Sequence, residues 1–421
     1  MGLTRRGNAP RSAGAMDTEE SGRQQVASNS LEDVFRTLRR RPDVEAPNLQ
    51  AWDATDRLLL ETAAEHVEAG STVAVIGDRY GALTLGALAV LSPGTVRVHQ
   101  DLITGERALR LNAEELRTAA TKGSAPGAGD GATAGLAGFE QLPLGPGLLA
   151  EAQTVLLQLP KTLAELEQTA AAVARYAPDD VVLLAGGRVK HMSLGMNTVL
   201  ERFFHSLQPQ LARRKSRVIL ASGAKAGTGP ERFPVVEHLA ELDLDVAAHG
   251  AVFAGPKLDI GTRFLLTFLP SMKPARHAID LGCGTGILAA MYARHSPGSA
   301  VTATDQSAAA VASAQATARV NGLQDSITVL QDDALSTVEA GSADLVLLNP
   351  PFHVGAGVHA GAGLKMIEAA GRVLEPNGEL WTVFNRHLPY LPALERYVGP
   401  TAVKGQNPKF TVTCSVRRGP G

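Results

Sequence analysis

Short runs of apolar, often β-branched residues recur along this chain, separated by stretches in which apolar residues return every three or four positions. That alternation predicts strands and helices in turn, the pattern of doubly wound α/β domains. Over the carboxy-terminal half, strands are expected at 277–281, 299–304, 326–331, 343–348, 379–384 and 409–416. Over the amino-terminal half they are expected at 72–76, 95–100, 154–158, 180–185 and 216–221. The chain therefore reads as α/β, with two tandem Rossmann-like halves. At 421 residues it exceeds the ~250–300 at which single cores stop growing, which also predicts two domains. Residues 30–245 form one and 246–421 the other, with the boundary near Ala247-Ala248-His249-Gly250 and Gly255-Pro256. Residues 1–29, rich in Gly, Ser, Arg, Gln and Glu without periodicity, read as a disordered tail.

The halves look like copies. Gly77 precedes Asp101 by 24 residues and Asp280 precedes Asp305 by 25, so each first strand is followed by an acid at nearly the same distance. The first half is longer beyond that acid by about the size of the Gly/Ala/Ser tract between Lys122 and Gly135, which reads as a flexible insertion. On this alignment Leu159-Pro160-Lys161-Thr162 faces Asn349-Pro350-Pro351-Phe352, so no amide is expected in the first half. Arg79 and Tyr80 are expected to crowd any ligand in its turn, Gly77–Gly81. The amino-terminal copy is thus expected to have lost its chemistry.

The second half keeps two candidate features. Strand 277–281 runs into Asp280-Leu281-Gly282-Cys283-Gly284-Thr285-Gly286, and Asp305 ends the next strand. Alternate glycines let a backbone approach a ligand closely, and an acid at the second strand end accepts from ribose hydroxyls. The spacing is not the one that cradles a pyrophosphate. S-adenosylmethionine fits better, because it has no phosphate and carries an ammonium that Asp280 can attract. Helix capping is the competing reading for Asp305. Asp332 and Asp333 follow the third strand, either placed to accept from an adenine amino group. The other feature is Asn349-Pro350-Pro351-Phe352 after an apolar strand. An amide oxygen and a backbone carbonyl can accept the two protons of an exocyclic amine; consecutive prolines stiffen the loop and free its carbonyls, and Phe352 offers a face for a base. A plain proline turn is the alternative.

Taken together, these segments resemble the class I S-adenosylmethionine-dependent methyltransferases, and more closely the tandem-domain ribosomal RNA guanine-N2 methyltransferases. The resemblance is carried by Val252-Phe253, Leu258-Asp259-Ile260-Gly261-Thr262, Asp280 to Gly286, Asn349 to His353, Asn385-Arg386-His387-Leu388, Asn407 with Lys409-Phe410, and Pro160-Lys161-Thr162-Leu163-Ala164. It implies that Asn349, Pro350 and Phe352 are catalytic, and that Phe253 and Thr262, the latter a possible helix N-cap, lie beside the cofactor with Asp280, Gly282, Gly284, Gly286, Asp305 and Asp333. Pro351, His353, Asn385 and Arg386 are implied on the substrate side. Gly355, Gly357, Gly361 and Gly363 would form a mobile loop or a plain connection. The implied partner is ribosomal RNA or a ribosomal subunit, large before small, although Leu388-Pro389-Tyr390 leans to the small-subunit enzymes. The first half is left with RNA docking or structural support. Direct transfer to the amine would draw on positioning, which supplies ~7–11 kcal/mol in well-oriented reactions. Two alternatives stand: an adenine-N6 or protein-glutamine methyltransferase using the same loop, and a non-catalytic RNA-binding assembly factor.

Composition narrows little else. The chain is 44% hydrophobic with a formal net charge of −2, which argues against a protein that coats nucleic acid. A local basic patch suffices for selective RNA binding; Arg36 with Arg39-Arg40-Arg41, Arg213-Arg214-Lys215 with Arg217, and Arg417-Arg418 are candidates, each equally a solvated surface. Cys283 and Cys414 lie far apart without metal spacing, which predicts a reduced, cytoplasmic protein with no metal, and Cys283 as a small filler. No apolar stretch reaches the ~18 residues of a membrane span, and no signal sequence is recognised.

Overall fold

The computed structural model describes residues 30–123, 138–225, 227, 229–351 and 359–419. The tail 1–29, the insertion from residue 124, Phe352, His353, Gly355 and Gly357 lie outside the described residues. The first sheet is built from β1 (Thr72–Ile76), β2 (Thr95–His99), β3 (Phe139–Gln141), β4 (Thr154–Gln158), β5 (Val182–Arg188), β6 (Phe204–Pro209) and β7 (Ser216–Ala224). A hairpin, β8 (Val235–Leu239) and β9 (Leu244–Ala248), follows. The second sheet contains β10 (His277–Leu281), β11 (Ala300–Asp305), β12 (Ile327–Gln331), β13 (Ala343–Leu348), β14 (Leu374–Asn385), β15 (Thr401–Gln406) and β16 (Phe410–Val416).

The two sheets share one topology: β3-β2-β1-β4-β5-β7-β6 and β12-β11-β10-β13-β14-β16-β15. In each, the strand before the last is antiparallel to both neighbours and the others are parallel. Parallel strands need both faces covered, which is why β1, β4, β10 and β13 are almost wholly buried and mostly apolar. One face of the second sheet packs Leu265, Tyr292, Trp381 and Phe410, the other Val346, Ile367, Phe384 and Tyr390. Leu244 and Val246 of β9 join the former cluster, so the hairpin strand that spans the expected boundary at 245 packs with the second half. β9 and the residue after it are fastened to the helix Ala308–Val320 by Ala247 N–H on Thr317 Oγ1 (3.0 Å) and His249 N–H on Ser313 Oγ (2.9 Å).

The strand registers correct the internal alignment. Ile76 pairs with His99 and Leu281 with Thr304, so Gly77 corresponds to Gly282, and Gln100, not Asp101, stands where Asp305 does. Ile76 also pairs with Leu157 and Leu281 with Leu348, which puts Gln158 at the place of Asn349. An amide is therefore present in the first half, contrary to expectation. On these registers Pro160 stands opposite Pro351 and not Pro350. Tyr80 does fill its turn: it is 7% exposed, its hydroxyl donates to Asp43 Oδ2 (2.6 Å), and the Arg40 guanidinium lies 4.7 Å over its ring. Gly361 and Gly363 belong to the helix His359–Val373 and not to a loop. A Cβ on Gly363 would lie 2.1 Å from Tyr390 Oη, so close helix packing explains that glycine.

Candidate active site

The site lies where the sheet order reverses, between β10 and β13, outside the carboxyl ends of the strands. Gly282, Gly284 and Gly286 all have positive φ, 78°, 54° and 78°, which permits the chain to coil from β10 into the helix Ile287–His295. The N–H groups of Gly282 and Cys283 bond Thr304 O at 2.8 and 2.9 Å. Gly284 donates to Asp305 Oδ2 (3.0 Å), and a Cβ placed on Gly284 would meet nothing within 4 Å among the described residues. Asp305 Oδ1 accepts from Ser307 N–H (3.0 Å), while Ser307 is the N-cap of the helix Ala308–Val320. Burial raises the Asp305 pKa, against the hydrogen bonds from Ser307 and Gly284.

Asp280 is completely buried. Its Oδ2 accepts from Ala289 N–H (2.9 Å), its Oδ1 has no partner among the described residues, and desolvation raises its pKa to about 7. A buried carboxylate with one empty oxygen suits a cationic ligand, since ionisation becomes favourable once the cation arrives. Cys283 between them is buried, and burial followed by Asp305 and Asp280 pushes its thiol well above the ordinary range, which fits a filler and not a nucleophile. Asp333 is buried and both its oxygens accept from Lys365 Nζ (2.7 and 2.6 Å), a partner the sequence did not announce. Asp332 is turned to Ser336 and Thr337.

Asn349 follows β13. Its Nδ2 donates to Asp259 Oδ2 (3.0 Å) and Thr262 Oγ1 (2.9 Å). A carboxylate only accepts, so the amide has one admissible orientation, and its Oδ1 is left buried with no partner among the described residues. Asp259 does two things at once: it is the N-cap of the helix Ile260–Leu266, accepting from Gly261 and Thr262 N–H at 2.9 and 3.1 Å, and it holds the amide. Thr262 is thus the third helical residue and not the N-cap; the Asp-x-x-Thr spacing carried that signal. A Cβ on Gly261 would sit 3.2 Å from Asn349 Oδ1, so glycine there leaves the amide room. Pro351 is exposed, and Phe253 is 72% exposed. Asn385 ends β14, beside β13, with its own Oδ1 buried and unpartnered among the described residues, and Arg386 is exposed next to it. Of the basic clusters, Arg36 pairs with Asp33, Arg41 with Glu115 and Arg214 with Glu61 on the surface.

A doubly wound sheet with one antiparallel strand, a glycine turn and an acid at the next strand end define a class I S-adenosylmethionine-dependent methyltransferase. Residues 243–414 match the Methyltransferase small domain and residues 27–225 the RLMG N-terminal domain. The chain is 34% identical over 389 residues to the ribosomal RNA large subunit methyltransferase G of Streptomyces coelicolor, covering 91% of this chain and 98% of that one. It is 34% identical over 377 residues to the same-named protein of Pseudomonas aeruginosa (strain UCBPP-PA14), covering 89% and 96%. It belongs to the ribosomal RNA large subunit methyltransferase G family. Its fold is also that of the T. thermophilus 16S rRNA N2 G1207 methyltransferase, solved in complex with AdoMet and guanosine: the TM-score is 0.68 at 19% identity, over 89% of this chain and 97% of that one. Among the described residues no helix is long and apolar enough to cross a membrane, and no cluster of three His, Cys, Asp or Glu side chains could hold a metal.

Proposed function

We propose that this protein methylates the exocyclic N2 of a guanine in ribosomal RNA of the large subunit. The observation that carries the chemistry is the buried, unpartnered Asn349 Oδ1, locked in place by Asp259 and Thr262. An unsatisfied buried acceptor is costly unless a donor arrives, and an amine N–H is such a donor. S-adenosylmethionine supplies an electrophilic methyl group. Asp280, the turn Gly282–Gly286, Asp305 and Asp333 are assigned to holding it, Asp333 by exchanging part of its bond to Lys365.

The chain's own work is positioning. Asn349 Oδ1 and the Pro350 carbonyl accept the two amine protons, which turns the nitrogen lone pair toward the methyl group. Once methylated the nitrogen is acidic, and its surplus proton leaves to water or through those acceptors, so no strong base is required at the outset. Phe352, with His353 outside the described residues, is assigned to stacking on the base, and Asn385 and Arg386 to its far side. The large subunit is supported by the family membership and the names of the relatives, and guanine by the T. thermophilus enzyme of the same fold, solved with guanosine.

Nucleoside mass spectrometry of undermethylated large and small subunits incubated with the protein and labelled cofactor tests the reading. N2-methylguanosine in large-subunit RNA is expected. Labelled N6-methyladenosine, or label in protein alone, overturns the guanine assignment, and label confined to the small subunit overturns the subunit.

A further inference from the structure

The two halves touch through matching loops. Ile103 N–H donates to Gln306 O (2.9 Å) and Ala308 N–H to Asp101 O (2.7 Å), with Leu102 and Ser307 forming an antiparallel bridge between them. In the corrected alignment Asp101 corresponds to Gln306 and Ile103 to Ala308, so the backbone contact is a local two-fold. The Asp101 side chain departs from that symmetry. Asp101 Oδ1 accepts from Ala309 N–H (2.9 Å), in the first turn of the helix Ala308–Val320, where a carboxylate is favoured by the free N–H groups and the helix dipole. The direction is from the amino-terminal half to the catalytic one.

The same stretch of the first half reaches the other acid-bearing loop. Gln331 Nε2, at the end of β12, donates to Asp101 O (3.2 Å), and Arg107 Nη1 donates to Ser336 Oγ (3.3 Å), which itself bonds Asp332. Asp305 lies two residues before Ser307 and is tied to its N–H. We propose that Asp101 is a positioning residue of the cofactor site: by fixing the first turn of the helix Ala308–Val320 it fixes Ser307, and through Ser307 the carboxylate of Asp305. The amino-terminal half thus completes the pocket of its neighbour. The inference rests on reading Asp305 as the ribose acid.

Calorimetry of S-adenosylmethionine binding to the full chain tests it. Asp101→Ala is expected to weaken binding about fivefold, the scale of one lost helix-cap acceptor, with the single-turnover rate at saturating cofactor unchanged. Asp101→Asn, which keeps an oxygen for Ala309 N–H, is expected to restore affinity to within about twofold. Ile103→Pro removes one N–H from the same contact at the first helical position, where proline is tolerated, and reads the contact if Asp101→Ala does not fold. It is expected to weaken binding in the same sense. Asp305→Ala separates the two assignments. If it leaves affinity intact, the ribose reading fails; if it weakens binding while folded Asp101→Ala or Ile103→Pro does not, the positioning role is overturned. A loss that Asn fails to restore overturns it as well.

Discussion

Gln158 and Asn349 stand at the same place in two copies of one sheet, and both amides are bonded to the first turn of the helix that precedes the first strand. Gln158 Nε2 donates to Asp56, the third residue of the helix Ala54–Ala63; Asn349 donates to Asp259 and Thr262, N-cap and third residue of the helix Ile260–Leu266. The clamp is therefore part of the architecture and not peculiar to the catalytic copy. The copies differ around it: Val75 stands at the position of Asp280 and Arg79 at that of Gly284, so the first half has the amide without the acid and the open glycine turn of the second.

Asn349→Ala is expected to leave S-adenosylmethionine affinity within about twofold and to lower kcat ~10²–10³-fold, as for other preorganised active-site acceptors. Single-turnover rates with calorimetry on the same sample check it; an unchanged kcat in folded protein ends the amine-holding role.

Asp259→Ala frees the amide to turn its nitrogen toward the substrate. A fall in kcat of about tenfold is expected, with a stability loss of about 1 kcal/mol for the missing cap. In the double variant with Asn349→Ala, kcat should fall no further than in Asn349→Ala alone, because both changes act on one oxygen. Additive losses would show that Asp259 acts elsewhere.

S-adenosylmethionine should bind more tightly as pH rises from 6 to 8. Asp280, with its pKa raised to about 7, is largely protonated at the lower pH, and a cation selects the ionised form, so binding releases a proton. Asp280→Asn should flatten that part of the profile. A pH-independent affinity in the native chain would remove Asp280 from the cation's surroundings.

Thermal stability should run the other way. Burial raises the Asp56 pKa to about 7 from 3.8, so the folded state holds a proton that the unfolded chain has released across that interval. Stability therefore falls as pH rises from about 4 through 7. Asp56→Asn, which retains an acceptor for Asp53 N–H, should reduce the drop in Tm between pH 5.5 and 8; an identical drop would place the titration on other groups.

The parallel strands were legible because burial on both faces makes them near-continuous apolar runs, as in Ala343–Leu348. The edge and hairpin strands were not: Val235–Leu239 and Thr401–Gln406 are largely exposed, so nothing in their apolar content marks them. Asp280, Asp305 and Asn349 were legible as candidates from turn chemistry. What fixes Asn349 was not, because Asp259 lies 90 residues upstream and a capping aspartate looks the same whether or not it also holds an amide. Lys365 was hidden similarly, a helix-face lysine whose partner is set by the packing of its helix.

The bond from Asp101 to Ala309 also bears on the order in which the molecule is made. Translation delivers the amino-terminal half first, and domains fold as units behind the advancing ribosome. When residues 308 and 309 emerge, the surface that receives them can already be in place. The loop at residues 101–107 then offers the second half a preformed surface to dock on, so the contact that joins the halves also sets the order of their assembly.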